Sequence, residues 1–456
     1  MFRRLSGILS KLESDFISNP NYLLLLVVFN CSLLMNFEEL VWQSPTLLCI
    51  MFLMCFFSFL NYRFWWATMV NIIISFCYYA ENFPVLPNHS NLEFFADSIL
   101  LGMFLYKLSR PNLRIDANLV SWVFRICVVS VYFYTGFHKL NTDFFNPCVS
   151  CVNKINSGTI ANLTGRPFKI TPVLSSFFQY ATIFIEMALP FGLFWKKTRR
   201  YSALAMIGFH FYLSLTVFAD FSSFAAFLIL GCIINFNNTP KNIVYKALKC
   251  YVFFALLYML LLVAFMKLQL SSVVSGFISG TVFGVGYLIF FFIFIKNYTA
   301  GTTIFKKKYI KTVSVCILTI SFWTMKSYVG LGNSSNLTMF SNLITEKSRS
   351  NHLLIDTKKT KIFDLEEDNL LIFKLDERLK TAKLEGFRLP ITQFKFLASQ
   401  WIKKPNRENL ACTLVYKNDT IVINDLSKSE FSKTKWWYKY ISFRKIQPEG
   451  ANECYW

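Results

Sequence analysis

Between residues 21 and 331 apolar stretches separated by short polar or basic loops recur at 21–37, 46–62, 64–80, 92–107, 117–138, 172–195, 201–218, 221–236, 249–266, 273–295 and 312–330. A helix that crosses a bilayer needs ~20 mostly apolar residues, and somewhat fewer when flanking side chains reach back to the interface. Each stretch is therefore a candidate span. The 54% hydrophobic and 18% aromatic content, with a mean hydropathy of +0.42, is far more than a soluble domain of 456 residues needs. The pattern predicts an all-α polytopic membrane bundle of about 11 spans, with the lipid bilayer as its surroundings. Residues 1–20 read as a cytoplasmic amphipathic N-terminus, 21–331 as the transmembrane domain, and 332–456, where charge rises, as a small α+β or β-rich soluble domain.

The distribution of basic residues orients this bundle. With the N-terminus inside, Lys and Arg gather in alternate loops: Arg3, Arg4 and Lys11, Arg63, Lys107 to Arg114, Lys196 to Arg200, Lys241 to Lys249, and Lys296 to Lys311. The opposite loops hold only Lys139, Lys154, Arg166, Lys169 and Lys267. The soluble domain then lies on the outer side of a cell membrane, and the Lys/Asn/Phe/Ile-rich composition fits a bacterial inner membrane. The net charge of +21 is spread between these loops and the C-terminal domain without a basic-aromatic motif, so nucleic acid is not an expected partner.

In the C-terminal domain His352–Ile355, Leu370–Phe373, Cys412–Tyr416 and Thr420–Ile423 read as strands, and Gln393–Trp401 as a helix.

Ionisable residues inside spans cost about 2.5–3.5 kcal/mol each on insertion scales, so each needs a partner or a task. Asp97, Arg125, Glu186, His210 and Lys326 are such residues. Arg125 is expected to pair with Glu186 or Asp97, and Lys326 to reach an interface. Pro190 removes the hydrogen bond to the Glu186 carbonyl and is expected to kink its helix. Lys139 stands with His138 where the fifth span ends, before a polar loop holding Cys148-x-x-Cys151. As a bland feature Lys139 is a snorkelling lysine; under a protein lid it is a base for a weakly acidic hydroxyl such as that of a hydroquinone. His138 lies roughly 100° around the helix from Lys139, so the two cannot face one cavity squarely. Cys148 and Cys151 are read as a disulfide or a redox pair, and no metal-ligand spacing is present.

Gly136-x-x-Lys139-Leu140-Asn141-x-Asp143-Phe144 resembles the signature of the vitamin K-dependent γ-glutamyl carboxylase superfamily and its bacterial relatives, the horizontally transferred transmembrane domain (HTTM) proteins. Asn88-His89-Ser90, the basic turn Lys196–Arg200 followed by Gly208-Phe209-His210, and Met339–Leu343 with Ser350-Asn351-His352 are similar to further elements of that family in the same order. The resemblance covers roughly residues 1 to 360. It implies Lys139 as the base acting on vitamin K hydroquinone or menaquinol, His89 and His210 as further catalytic pocket residues, and His138 and Asn88 beside the cofactor. Oxygen and carbon dioxide would be co-substrates, no metal would be needed, and a peptide or protein would be modified. Two departures stand: the first lysine of the carboxylase motif is His138 here, and the C-terminal domain is much smaller than the carboxylase's luminal portion. Hydroquinone oxidation without carboxylation is compatible with both. The expectation from another class is a non-enzymatic transporter, or a partner in maturation of a secreted peptide, for which Pro190 and the Gly276, Gly280, Gly284 and Gly286 series speak.

Overall fold

The computed structural model describes residues 20–37, 44–60, 64–83, 86–110, 116–216, 218–234, 241–270, 272–296, 304–404, 408–451 and 454. The amphipathic N-terminus expected over 1–20 lies outside them, save for Pro20.

In each of the eleven apolar stretches the described residues are mostly helical. They form α1 (Pro20–Asn36), α2 (Pro45–Leu60), α3 (Trp65–Asn82), α4 (Asn88–Ser109) and α5 (Ala117–His138). After a 14-residue helix α6 (Cys151–Thr164), which lies in what the sequence reads as a polar loop, come α7 (Pro172–Ile183), α8 (Arg199–Ser214), α9 (Ala219–Ile233), α10 (Lys241–Lys267), α11 (Ser272–Lys296) and α12 (Ile310–Val329). Among the described residues five helical stretches are long and apolar enough to cross a membrane: Ala117–His138, Pro172–Leu193, Asn242–Lys267, Val274–Lys296 and Lys307–Val329. The chain is a multi-pass membrane protein.

Because α1 is apolar all round, it takes the centre of the bundle, with Leu24, Val28, Phe29, Leu33 and Leu34 all buried. α5 and α12 run parallel, fastened at three heights. Tyr309 donates to Asp116 (2.7 Å), Tyr134 to Ser321 (2.6 Å), and the His138 ring meets the Tyr328 hydroxyl (2.8 Å). The glycines of α11 serve packing: a Cβ at Gly280 would overlap the Ser214 carbonyl, and one at Gly284 the Ser214 hydroxyl. Small residues let these backbones approach closely.

The charges within these helices find other partners than the sequence suggests. Asp97 accepts from Ser75 (2.6 Å), and Glu93 from Tyr79 (2.7 Å) and Ser32. Arg125 donates through Nε to the Cys232 carbonyl (3.3 Å) and lies over Trp122. Lys326 does not snorkel: it is buried, with its ammonium 4.1 Å from the centre of the Trp323 ring, which Phe83 and Phe95 flank. The ring quadrupole attracts an ammonium over an indole and offsets part of its lost hydration.

The C-terminal sheet is antiparallel, in the order β2 (Arg388–Pro390), β1 (Asn369–Leu375), β3 (Cys412–Tyr416), β4 (Asp419–Ile423). A helix over Ile391–Trp401 buries Phe394 and Ala398 against Leu370, Ile372 and Leu414. His352–Ile355 is not a strand of it. The backbone there turns back to the end of α5, pairing His352 with Asn141 in an isolated bridge and Leu353 N–H with the Leu140 carbonyl (2.8 Å). Between α12 and the sheet, residues 332–368 cover the helix ends. Leu337 (φ 66°) and Phe340 (φ 55°) take left-handed backbone there, a costly conformation for bulky residues that the surrounding contacts must impose.

This covering segment buries charge. Lys361 bonds Glu366 (2.5 Å), Glu367 (2.7 Å) and the Thr345 carbonyl (2.9 Å). Burial works against the Lys361 ammonium, but the two carboxylates outweigh it and hold its pKa above the usual lysine range. Nearby, burial together with the Glu366 charge pushes Glu346 up to about 7. The folded state therefore keeps this proton above the pH at which the unfolded chain releases it. Stability falls as pH rises from about 4.5 to about 7, and the loss is complete above that window. Glu346→Gln is expected to flatten this slope and to raise the Tm at pH 8, with an upper bound of about 3 kcal/mol. Thermal unfolding in nanodiscs across that pH range checks it.

Candidate functional site at the mouth of the bundle

Lys139 caps the C-terminus of α5, where Gly136, one turn earlier, lets another helix come close. A Cβ at 136 would overlap Met187 and press on Glu186. That neighbour is the continuation of α7, which is not regular. Pro190 has no N–H to donate to the Glu186 carbonyl, and the chain answers with a π turn over Phe184–Ala188 and a 3₁₀ turn over Leu189–Leu193. The kink expected from Pro190 takes this form. Glu186 sits in the π turn and meets Lys139. The Lys139 Nζ donates to Glu186 Oε2 (2.7 Å), Glu186 Oε1 (3.0 Å) and the Thr135 carbonyl (3.3 Å), and both side chains are buried. Lys139, not Arg125, is thus the partner that satisfies Glu186.

One face of α5 continues inward from Lys139. Tyr132, seven residues earlier and so about 10 Å deeper, hydrogen-bonds His210 Nε2 from α8. The His210 ring packs on Phe221 (5.3 Å), and so does that of His89 (6.0 Å). Phe221 and Asp220 belong to the first turn of α9, where Asp220 Oδ2 lies 3.3 Å from His89 Nε2. His89 and His210 are thereby brought to one cluster. Two buried polar atoms in it, His210 Nδ1 and Asp220 Oδ1, have no hydrogen-bond partner. Such groups are costly to leave unmet.

Two other sequence-derived candidates are turned elsewhere. His138 is wholly buried and stacked on Tyr328, away from Glu186, as the roughly 100° offset from Lys139 requires. Asn88 accepts from Leu337 N–H (2.6 Å) and so anchors the covering segment. Asn141 does the same work at the end of α5, donating to the carbonyls of His138 (2.9 Å) and Ser341 (2.5 Å). His352 accepts two backbone N–H groups at Nδ1 and meets the Phe137 carbonyl through Nε2 (3.0 Å), which fixes one tautomer. Burial pushes its pKa below the usual range, so it is a neutral strut.

The cysteine expectation is corrected. Cys151 opens α6, is buried, and is joined by a disulfide to Cys454, while Cys148 is free and exposed in the preceding turn. Asn342 fixes this corner by accepting from Cys151 N–H (2.9 Å) and donating to the Val149 carbonyl (3.0 Å). Among the described residues no group of three or more His, Cys, Asp or Glu side chains is placed to hold a metal.

Residues 116–239 match the family model of the HTTM domain. No curated protein and no solved structure matches the chain. Lys139, Glu186, Tyr132, His210 and Asp220 all lie within the HTTM match, whereas His89 and the covering segment reach the same site from outside it. Sequence reasoning missed Tyr132, Asp220 and the Glu186 pairing. An aspartate at the start of the apolar stretch over 221–236 was the available signal for Asp220.

Proposed function

We propose that the HTTM domain of this chain oxidises a lipid-soluble quinol with oxygen, and that Lys139 takes up the quinol hydroxyl proton. The observation that carries this reading is the buried Lys139–Glu186 pair at the mouth of the bundle, a proton-sharing couple where a membrane-dissolved substrate can arrive. The unmet polar atoms His210 Nδ1 and Asp220 Oδ1 fit a ligand bearing hydroxyl groups on a flat apolar ring, and Phe221 offers that ring a surface. Vitamin K hydroquinone and menaquinol are such molecules. When bound, the quinol supplies the reducing power for oxygen chemistry, which the family resemblance extends to carbon dioxide and a peptide or protein substrate.

The chain's residues divide the remaining work. At rest Glu186 holds the Lys139 ammonium. Transfer of that proton to Glu186 leaves a neutral amine able to accept a hydroxyl proton. Tyr132 fixes the His210 ring through Nε2, so that Nδ1 is the atom free to bond a ligand. The full arrangement we infer has eleven spans, the N-terminus in the cytoplasm and the C-terminal domain on the outer side of a bacterial inner membrane. The alternating basic loops and the Cys151–Cys454 disulfide, which suits an oxidising compartment, support it. A transport or peptide-maturation role keeps one observation in its favour, the interrupted helix over 172–193.

Epoxide formation from reduced vitamin K in nanodiscs, with oxygen present and absent, tests the reading. Wild type is expected to form epoxide, and Lys139→Ala to lose about 10²–10⁴-fold, the usual worth of a positioned base. No epoxide from folded wild type, with menaquinol as well as phylloquinol, would overturn the proposal and favour transport.

A further inference from the structure

We infer that the loop over residues 353–363 is a membrane-surface foot, whose apolar side chains enter the phospholipid layer beside the ends of α5 and α12. Four large apolar side chains in this loop are exposed: Leu353 (55%), Leu354 (69%), Ile362 (74%) and Phe363 (43%). Apolar clusters of this kind on a protein surface mark a partner or a membrane.

The attachment points identify which. Leu353 N–H is bonded to the carbonyl of Leu140, two residues past the end of α5. Ile362 and Phe363 N–H are both bonded to the carbonyl of Val329, the last residue of α12 (3.1 and 3.0 Å). Both helices are long and apolar enough to span a bilayer, and the His138–Tyr328 contact (2.8 Å) holds their ends together. The four side chains therefore start within about one helical turn of where two adjacent spans leave the hydrocarbon. The exposed apolar face of α12, with Leu318 at 67% and Phe322 at 72%, leads along the helix toward them. Between the two apolar pairs the short helix Thr357–Thr360 presents Lys358 and Lys359 to solvent, at the height of the headgroup phosphates. A water-facing loop would gain nothing from this order of residues. A loop lying on phospholipid buries all four apolar groups and leaves Lys358 and Lys359 hydrated.

The test uses the full chain in proteoliposomes of phosphatidylcholine and phosphatidylglycerol, carrying Leu354→Cys, Ile362→Cys or Val422→Cys. Val422 on β4 is 68% exposed and serves as a matched position in the C-terminal sheet. Alkylation is read site by site by mass spectrometry, with a sulfonated maleimide confined to water and with a lipid-soluble maleimide. Positions 354 and 362 are expected to react at least about tenfold more slowly than 422 with the sulfonated reagent, because a charged reagent is excluded from hydrocarbon. The lipid-soluble reagent, which partitions to the same depth, is expected to close most of that gap, the remainder reflecting thiols held protonated by the apolar surroundings. Equal rates at all three positions would overturn the inference. Equal rates in proteoliposomes with protection at 354 and 362 in native membranes would also overturn it, in favour of a protein partner.

Discussion

Lys139→Met alone is expected to destabilise the protein by about 3–5 kcal/mol, whereas Lys139→Met combined with Glu186→Leu regains most of that loss and remains inactive. The asymmetry follows from burial. Lys139 is 4% and Glu186 8% exposed, and both carboxylate oxygens are bonded to the one ammonium. Removing the lysine leaves a carboxylate with neither water nor a cation. Removing both leaves an apolar contact at the place where Gly136 brings the helices together. Unfolding midpoints in nanodiscs give the stability part, and quinol epoxidation gives the activity part. The double variant separates two roles that either single variant confounds. If the pair only holds α5 to the π turn, the refolded double variant retains activity, and the assignment of Lys139 as proton acceptor falls.

Much of this fold is legible because its information is local. The fifth span was expected at 117–138 and α5 covers Ala117–His138, since Asp116 caps one end and the Gly-x-x-Lys turn closes the other. The interruption near Pro190 follows from a missing N–H and needs no neighbour to explain it. Strands expected at 370–373, 412–416 and 420–423 lie within β1, β3 and β4, where β-branched and apolar residues fall between turn residues.

What the sequence hid depends on distant partners. On paper Glu186 goes to Arg125, and only the rotation imposed by the π turn and the clearance at Gly136 gives it to Lys139. Cys151 looked nearest to Cys148 along the chain, yet its partner is 303 residues away. His352–Ile355 has the composition of a strand, but the carbonyl of Leu140 claims the backbone donor that a sheet would need. α6 has too little apolar surface to announce itself; it stands where Asn156 and Asn153 find partners in Tyr212 and Ser175. In each case a side chain or backbone group went to a partner that only the assembled chain supplies.

The same reasoning fixes the second large effect, at the joint between the bundle and the sheet. Lys361→Met is expected to cost about 3–5 kcal/mol and to loosen the C-terminal domain from the helix ends. Lys361 is 6% and Glu366 1% exposed, so the substitution strands one carboxylate wholly out of water and a second, Glu367, partly so. Glu366 still accepts from Asn333 (2.6 Å) and from Thr345 (2.9 Å), but neutral donors do not balance its charge. Asn333 carries the damage onward, because its own Oδ1 accepts from Arg444 N–H (2.8 Å) on the segment that runs back to the sheet. The conservative replacement is no rescue: Lys361→Arg puts a planar fork where three acceptors converge on a single nitrogen, and is expected to recover only part of the loss. Lys361→Met/Glu366→Leu removes the stranded charge and is expected to recover more than arginine does. Limited proteolysis in nanodiscs reads the joint directly, with new cleavage within 332–368 in Lys361→Met and protection restored in the double variant. Cleavage unchanged in Lys361→Met would mean that the disulfide and the covering segment's backbone bonds hold the domain without this ion pair.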